Sequence, residues 1–214
     1  MEIKRTANAG VLLTLDNERI LLDGVSKEVL PYLATPPALY QQLLQDRPDA
    51  LVLTHSHADH YDASFVSKYL QNTAGPVFGP ADIPLCTAQS AAVGNIDIMH
   101  IPSRHVGKTE PIGHNSYILQ GSKCVWFMGD ASPLFWKERY DLPRPDVVIA
   151  PYAYVMGAGL QIVKELRAKD LVIVHLPNRE YDPFSLWEKV DDAMRADMDL
   201  NIHILQIGES AEIA

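Results

Sequence analysis

The length, composition and charge of the chain limit the classes of protein to which it can belong. It has 214 residues, of which 47% are hydrophobic, and this is enough to bury a substantial core as one domain. The formal net charge is -9 and the sequence contains no block of Lys or Arg, so nucleic acid is not expected as a partner. The longest uncharged run, 147–163, contains Pro151 and two glycines, so no membrane helix is expected.

The N-terminal sequence and the cysteines indicate the compartment. The segment MEIKRTANAGVLL passes from charged residues into alternating apolar positions, without the apolar core of a secretory signal. Cys86 and Cys124 lack CxxC spacing and favour reduced structural thiols over a disulfide framework. We therefore expect a cytoplasmic protein.

The predicted elements alternate along the chain. Runs rich in Val, Ile and Leu predict strands that begin near residues 10, 19, 50, 96, 116, 123, 146, 170 and 201. Helical periodicity predicts helices at Pro37–Leu44, Ala63–Gln71 and Pro183–Met198. This alternation is typical of an α/β (α+β) fold. We expect a single domain, 1–214, in two similar halves that divide near residue 95.

Several predicted strands end in a histidine or an aspartate. Asp23, His55, Asp130 and His175 each follow an apolar run. Proteins of the α/β class place their binding clefts at strand ends, so these four side chains are expected to share one cleft.

The segment THSHADHYD, residues 54–62, carries three histidines and two aspartates. His55 and His57 are two positions apart and face the same side of an extended chain, so both imidazoles can reach one ion. Asp59 and His60 follow where the chain turns, and can present their ligand atoms to a neighbouring point. Imidazole and carboxylate together suit zinc, manganese or iron. One loop is therefore predicted to supply ligands for two metals.

The segment HSHADH resembles the HxHxDH motif of the metallo-β-lactamase superfamily. The resemblance continues through SRH (103–105), FMGD (127–130) and VIVH (172–175), in the order that the family has. It implies a four-layer αββα sandwich with the metals at the edge between the two sheets.

The resemblance also implies a role for each candidate residue. The first metal would be held by His55, His57 and His105, and the second by Asp59, His60 and His175. Asp130 would bridge the two metals, and Asp23 would orient a ligand histidine from behind. His105 is preferred to His114 because 130 − 105 = 25 positions is closer to the family's separation than 130 − 114 = 16.

A narrower resemblance concerns the branch of the superfamily. ANAGVLL, ATPPALYQQLL and IGES are similar to segments of the branch that includes L-ascorbate-6-phosphate lactonase and metal-dependent hydrolases. The acidic HxExD variant of the flavodiiron branch is absent from the sequence, which disfavours a redox di-iron role.

The charges of this ligand set predict a hydrolase. Two divalent ions bring four positive charges, and Asp59, Asp130 and a bridging hydroxide remove three, so the pocket favours an anionic substrate. Metal lowers the pKa of bound water to roughly 7, which makes hydroxide available at neutral pH. We predict hydrolysis of a small anionic ester, lactone or phosphoester with zinc, or else manganese or iron. Asp59 would also accept a hydrogen bond from the nucleophile.

Several other polar residues lie outside the HSHADH segment. His114, in PIGHNSYIL, could protonate a leaving group or hydrogen-bond an anionic substrate, or could simply bond a backbone carbonyl in a turn. His100 and His203 lie within alternating strands and are assigned no role. Four residues near the predicted site could bind substrate, although a solvated surface position is their commoner use: Arg104, Lys108, Tyr152 and Arg179.

Two functions from other classes remain open. One is an iron-dependent oxidase or dioxygenase on the same fold, which would bind iron and consume oxygen. The other is a metal-binding sensor or scaffold without catalysis, which would bind two metals and hydrolyse nothing.

Overall fold

The computed structural model describes residues 1–86, 90–107, 112–136, 141–196 and 200–214. The strands are β1 Glu2–Arg5, β2 Val11–Leu15, β3 Glu18–Leu22, β4 Ala50–Val52, β5 Val77–Phe78, β6 Ala91–Val93, β7 Ile96–Pro102, β8 Asn115–Gln120, β9 Cys124–Phe127, β10 Val147–Pro151, β11 Asp170–Val174, β12 Asn201–Ile204 and β13 Ser210–Glu212. The helices are α1 Pro37–Asp46, α2 Ala63–Asn72, α3 Gly157–Leu166 and α4 Leu186–Ala196, with 3₁₀ turns at Pro133–Trp136 and Tyr152–Val155.

The described strands form two mixed sheets. The first has the order β13-β1-β2-β3-β4-β5 and the second the order β12-β11-β10-β9-β8-β7-β6. Strands β3, β4 and β5 run parallel to one another, as do β9, β10, β11 and β12. The parallel strands therefore bring several carboxyl ends to one edge of the molecule.

Alternation of side chains along the strands builds the layers. In β3, Ile20 and Leu22 pack into the core between the sheets, whereas Leu21 packs with α1 and α2 on the outer face. In β9, Phe127 joins the same central core, whereas Trp126 packs outward in the cluster that includes α3 and α4. Helices thus cover the outer face of each sheet, and the four-layer αββα sandwich expected from the sequence is confirmed.

The predicted strands and helices are all present, with small differences at their ends. Helix α4 begins at Leu186 rather than at Pro183, because Asp182 accepts hydrogen bonds from the backbone N–H groups of Phe184 and Trp187 and holds a turn there. The predicted end of this helix, Met198, lies outside the described residues. Strands β1, β5, β6 and β13 and helix α3 were not predicted.

Two strands pair across the predicted boundary near residue 95. Strand β6 precedes that boundary but pairs with β7 in the second sheet, and the late strand β13 pairs with β1 in the first sheet. Cys86 and Cys124 are free thiols. Within the described ranges, no helix combines the length and the apolar character that crossing a membrane requires.

Candidate metal centre

The candidate residues lie at one edge of the sandwich, where strands of both sheets end. The motif loop follows β4, Asp130 follows β9, and His175 directly follows β11. His105 lies three residues after β7 and forms an antiparallel bridge with Ala131. The backbone N–H of Val106 also donates to the carbonyl of Asp130 at 2.8 Å. This pairing holds His105 beside Asp130.

The motif loop is a tight turn that ends in a helix cap. The backbone N–H groups of His60 and Tyr61 both donate to the carbonyl of His57, at 3.0 and 2.9 Å. Asp62 then accepts from the N–H groups of Ser64 and Phe65 at the start of α2. The last carboxylate of THSHADHYD is therefore a helix cap, and its three histidines and Asp59 remain for the centre.

His55, His57 and His105 form a first cluster. One ligand atom of each lies within 4.8 Å of the others. His55 Nε2 and His57 Nδ1 approach to 2.9 Å, and the His105 Nδ1–H donates to the carbonyl of Val106, which leaves Nε2 with the lone pair of the ring. Two residues of this cluster follow the first sheet and one follows the second.

Asp59, His60 and His175 form a second cluster of the same size. His175 Nε2 lies 3.1 Å from Asp59 Oδ2, and His60 Nε2 lies 3.9 Å from the same oxygen. Again two residues come from the motif loop of the first sheet and one from a strand end of the second sheet.

Asp130 lies between the two clusters. Its Oδ2 is 3.4 Å from Nε2 of His60 and of His175, and 3.7 Å from His105 Nε2. The carboxylate is thus within reach of ligand atoms in both clusters. Burial opposes ionisation, but the imidazoles of His175 and His60 outweigh it and hold the pKa of Asp130 well below its usual range.

Asp23 and Thr54 support two of the histidines from behind. Asp23 is fully buried, and its carboxylate accepts from His60 Nδ1 at 2.8 Å and from the N–H and hydroxyl of Thr54. The Thr54 hydroxyl donates to Asp23 and so accepts from His55 Nδ1, 2.9 Å away. Both rings are thereby fixed with Nε2 directed at the centre. Asp23 also groups with His55 and His60 by distance, but these bonds occupy its oxygens.

His114 lies beside the centre but in neither cluster. Its ring centroid is 5.1 Å from that of His55 and 5.6 Å from that of His105. His114 Nδ1 is 2.7 Å from Ser103 Oγ, so its partner is a hydroxyl and not the backbone carbonyl considered above. Burial lowers the pKa of His114 to about 3.

The buried atoms of this edge fit divalent cations. Among the described residues, buried side-chain atoms without a hydrogen-bond partner include His60 Nε2, His175 Nε2, His114 Nε2 and Asp130 Oδ1. An unsatisfied buried polar atom costs about 1–3 kcal/mol, so their concentration at one point calls for a ligand. The donors are nitrogen and oxygen without thiolate, which suits zinc, manganese or iron.

The other polar residues considered in the sequence lie in different parts of the structure. Arg104 and His105 line a cavity of about 360 Å³. Arg179 pairs with Asp191 at 3.0 Å and lies over the Trp187 ring, so it is engaged with α4. Tyr152 is half-buried in a 3₁₀ turn, and Lys108 lies outside the described residues. The two histidines without an assigned role have partners elsewhere: His100 bonds Ser90 and His203 pairs with Asp170.

Two residues at the centre were missed. Asn8 is buried, its Nδ2 lies 3.5 Å from Asp59 Oδ2, and its carbonyl accepts from the His175 N–H at 2.9 Å. The ring of Tyr32 meets that of His175 edge-on at 4.4 Å. Neither residue carries a local signal, because each reaches the centre only through the fold.

The comparison with protein families identifies the chain. A model described as "Beta-lactamase superfamily domain" matches residues 2–177. The chain belongs to the metallo-β-lactamase superfamily. The match to the superfamily domain includes both clusters and ends two residues after His175. A search of curated proteins found no significant sequence match.

Solved structures share the metallo-β-lactamase fold at low sequence identity. Igni18, a metallo hydrolase from Ignicoccus hospitalis, has 18% identity and a TM-score of 0.64 over 100% of this chain and 99% of its own. An isothiocyanate hydrolase from Delia radicum gut bacteria has 18% identity and a TM-score of 0.67 over the same shares. CmlA, a diiron β-hydroxylase from Streptomyces venezuelae, has 14% identity and a TM-score of 0.66 over 99% of this chain and 54% of its own. At these identities the likeness shows the fold alone.

Proposed function

We propose that the protein is a dinuclear metal-dependent hydrolase that acts on a small, anionic ester, lactone or phosphoester. The observation that carries this proposal is the pair of adjacent clusters with Asp130 between them. Membership of the metallo-β-lactamase superfamily supports it, as does the description of Igni18 and of the enzyme from Delia radicum gut bacteria as hydrolases.

The ligand sets follow from the two clusters. His55, His57 and His105 would hold one ion; Asp59, His60 and His175 would hold the other; Asp130 would contact both. When bound, two divalent ions supply water of lowered pKa and polarise a carbonyl or phosphoryl oxygen. Zinc is the first expectation, since catalytic zinc sites use imidazole and carboxylate ligands without thiolate, with manganese or iron as alternatives.

Other residues of the chain orient the ligand histidines and form hydrogen bonds around that centre. Asp23 and Thr54 hold the rings of His60 and His55, so that their Nε2 atoms point inward. Asp59 would accept a hydrogen bond from the attacking nucleophile as well as contact metal.

The hydrogen bonds of His114 support a role as a proton or hydrogen-bond acceptor. The Ser116 hydroxyl donates to the Met128 carbonyl at 2.7 Å, so Ser116 Oγ accepts from Ser103, 2.9 Å away. Ser103 Oγ then accepts the Nδ1–H of His114. In this neutral ring Nε2 is an acceptor, so His114 would take a proton or hydrogen bond from a nucleophile or a substrate hydroxyl. It would not be the standing donor to a leaving group.

Metal content and turnover test the proposal together. Elemental analysis of the purified protein should give about two divalent ions per chain, and a panel of esters, lactones and phosphoesters should reveal turnover that chelation abolishes. His57→Ala should lower both, whereas His100→Ala, at a histidine bonded to Ser90, should change neither. Metal-free protein with unaltered activity in the His57→Ala variant would refute the assignment.

The fold relationship to CmlA keeps an iron-dependent oxidase or dioxygenase as a second candidate. Bound iron with oxygen consumption would support it, and the hydrolase is favoured because the acidic HxExD variant is absent from the motif loop. A non-catalytic sensor or scaffold would bind two metals and give no turnover on the panel.

Three narrower expectations stay part of the proposal. They are the branch that resembles L-ascorbate-6-phosphate lactonase, a cytoplasmic location and a single domain over 1–214. The pairing of β6 with β7 and of β13 with β1 supports the single domain, because each sheet takes a strand from the other half of the sequence.

A further inference from the structure

A cavity of about 220 Å³ lies next to the metal centre. At about 30 Å³ for each water molecule, it has room for roughly seven waters or for a small organic group. Six of the residues that line it are apolar: Leu33, Ala34, Pro36, Leu176, Pro177 and Ile207. The others are Arg5, Asn8, Asn178 and Gln206, of which only Arg5 is charged.

Arg5 brings a buried positive charge to this cavity. Its side chain is 3% exposed, and among the described residues no carboxylate pairs with it. Four of its five N–H groups donate to the carbonyls of Ala7, Asn8, Leu176 and Leu205. In those ranges one N–H has no acceptor and no carboxylate neutralises the charge, which is costly because a buried charge is normally paired.

The cavity also adjoins the metal centre through one side chain. Asn8 lines the cavity and reaches Asp59 with Nδ2, while its buried Oδ1 has no hydrogen-bond partner in the described part of the chain. Leu176, which also lines the cavity, directly follows His175. A ligand that fills the cavity therefore lies one residue away from the second cluster.

Exposed apolar side chains occur on two of the loops that line the cavity. Leu30 is 65% exposed and Leu33 39% exposed on the loop that also carries Tyr32. Tyr181 and Phe184 are 50% and 57% exposed on the loop that begins at Asn178. Large exposed apolar residues rimmed by polar groups are typical of binding surfaces. They favour a ligand with an apolar body.

We propose that this cavity is a substrate subsite that binds a carboxylate, or a similar anionic group, attached to an apolar body. Arg5 supplies the charge, the side-chain amides of Asn178 and Gln206 supply hydrogen bonds, and the apolar wall receives the body. The inference rests on the proposed hydrolase function and narrows its substrate class to amphipathic acids whose scissile bond would lie toward Asp59.

Arg5 is unsuitable for the test, because its four carbonyl bonds also hold three segments together. Asn178→Asp is better, since it places a carboxylate on the cavity wall and keeps the Oδ1 that accepts the Glu180 N–H. The matched control is Asn17→Asp, in the turn between β2 and β3 at the opposite end of β2 from Asn8. Gln206→Glu is a second variant, should Asn178→Asp unfold.

The probes are benzoate and its neutral isostere benzamide, titrated into the metal-loaded full-length protein by calorimetry. We expect benzoate to bind at least about tenfold more tightly than benzamide. Asn178→Asp or Gln206→Glu should weaken benzoate binding about tenfold or more, equivalent to about 1.4 kcal/mol, with metal content unchanged. Asn17→Asp should bind benzoate as the wild type does.

Two results would overturn the inference: no benzoate binding by the wild type, or equal benzoate affinity in the wild type and both cavity variants, which would place the anion on the metals. Failure of the proposed function is distinct. A protein that binds benzoate in this way but holds no metal and hydrolyses nothing would refute the hydrolase and leave the anion site standing.

Discussion

Replacement of Gly129 by alanine should disturb the first cluster through Thr54. Gly129 precedes Asp130 and has a φ of +52°, in the left-handed region. A Cβ built there would lie 2.6 Å from Thr54 Cγ2, 2.7 Å from its Cβ and 2.9 Å from its Oγ1. Thr54 would have to move, and its hydroxyl holds His55 Nδ1. We therefore expect both lower stability and weaker metal binding.

The magnitude has two parts. A left-handed backbone costs an L-residue roughly 1–2 kcal/mol, and overpacking of a buried contact adds about 1–3 kcal/mol. Gly129→Ala should thus lower the free energy of unfolding by about 2–5 kcal/mol. Gly157→Ala is the matched control, because Gly157 has a φ of +46° and a Cβ added to it would meet no atom of the described chain within 4 Å. Gly157→Ala should therefore lower the free energy of unfolding only by the backbone part, roughly 1–2 kcal/mol.

Urea unfolding of the two variants, with and without added zinc, measures both effects. The difference between them should be about 1–3 kcal/mol, and only Gly129→Ala should weaken metal binding. Equal destabilisation by the two substitutions, with wild-type metal affinity in both, would show that Thr54 is not displaced and would refute the reasoning.

The remaining predictions concern single side chains of the centre. Asp130→Asn keeps the shape of the side chain and removes the negative charge that offsets the repulsion between two cations. Metal titration should therefore show that the second ion is lost, and full occupancy would show that Asp130 does not bridge. Thr54→Val removes the hydroxyl that orients His55 and should weaken metal binding about 10- to 100-fold, whereas Thr54→Ser keeps the hydroxyl and should not. Equal metal affinities in the two variants would show that the hydroxyl does not orient His55. His114→Ala should reduce kcat/KM by about 10²-fold or more at unchanged metal content, and loss of metal instead would make His114 a ligand.

The four strands that the sequence did not predict have two to four residues each, and this has a physical reason. β10 and residues 171–174 of β11 are uninterrupted apolar runs buried between layers, so their composition alone indicates a strand. β5 has two residues and β6 is mostly exposed, and such strands exist because a neighbouring strand offers hydrogen bonds. Helix α3 was missed because it begins at Gly157, at positive φ, and contains a second glycine.

In the candidate site, too, some residues could be predicted from the sequence and others could not. The dense motif loop and the strand ends indicated His55, His57, Asp59, His60 and His175, because imidazole and carboxylate are common metal ligands. His105 was indicated only by the resemblance of SRH to the family's sequence. Asn8 could not be found in this way, since it lies 51 positions from its partner Asp59 and asparagine is common in turns. Ser103 and Ser116, which fix the proton of His114, are likewise ordinary residues whose contacts only the packed sheets create.

Each cluster takes two residues from the motif loop of the first sheet and one from a strand end of the second. A metal ion held there would cross-link the sheets, much as a disulfide joins distant segments, but reversibly. Binding confined to the docked sandwich adds RT ln(1 + [L]/Kd) to its stability, about 4.1 kcal/mol at a thousand times Kd. The concentration of free metal would therefore shift the equilibrium between the docked and the separated sheets, so that metal supply would tune the stability of the fold.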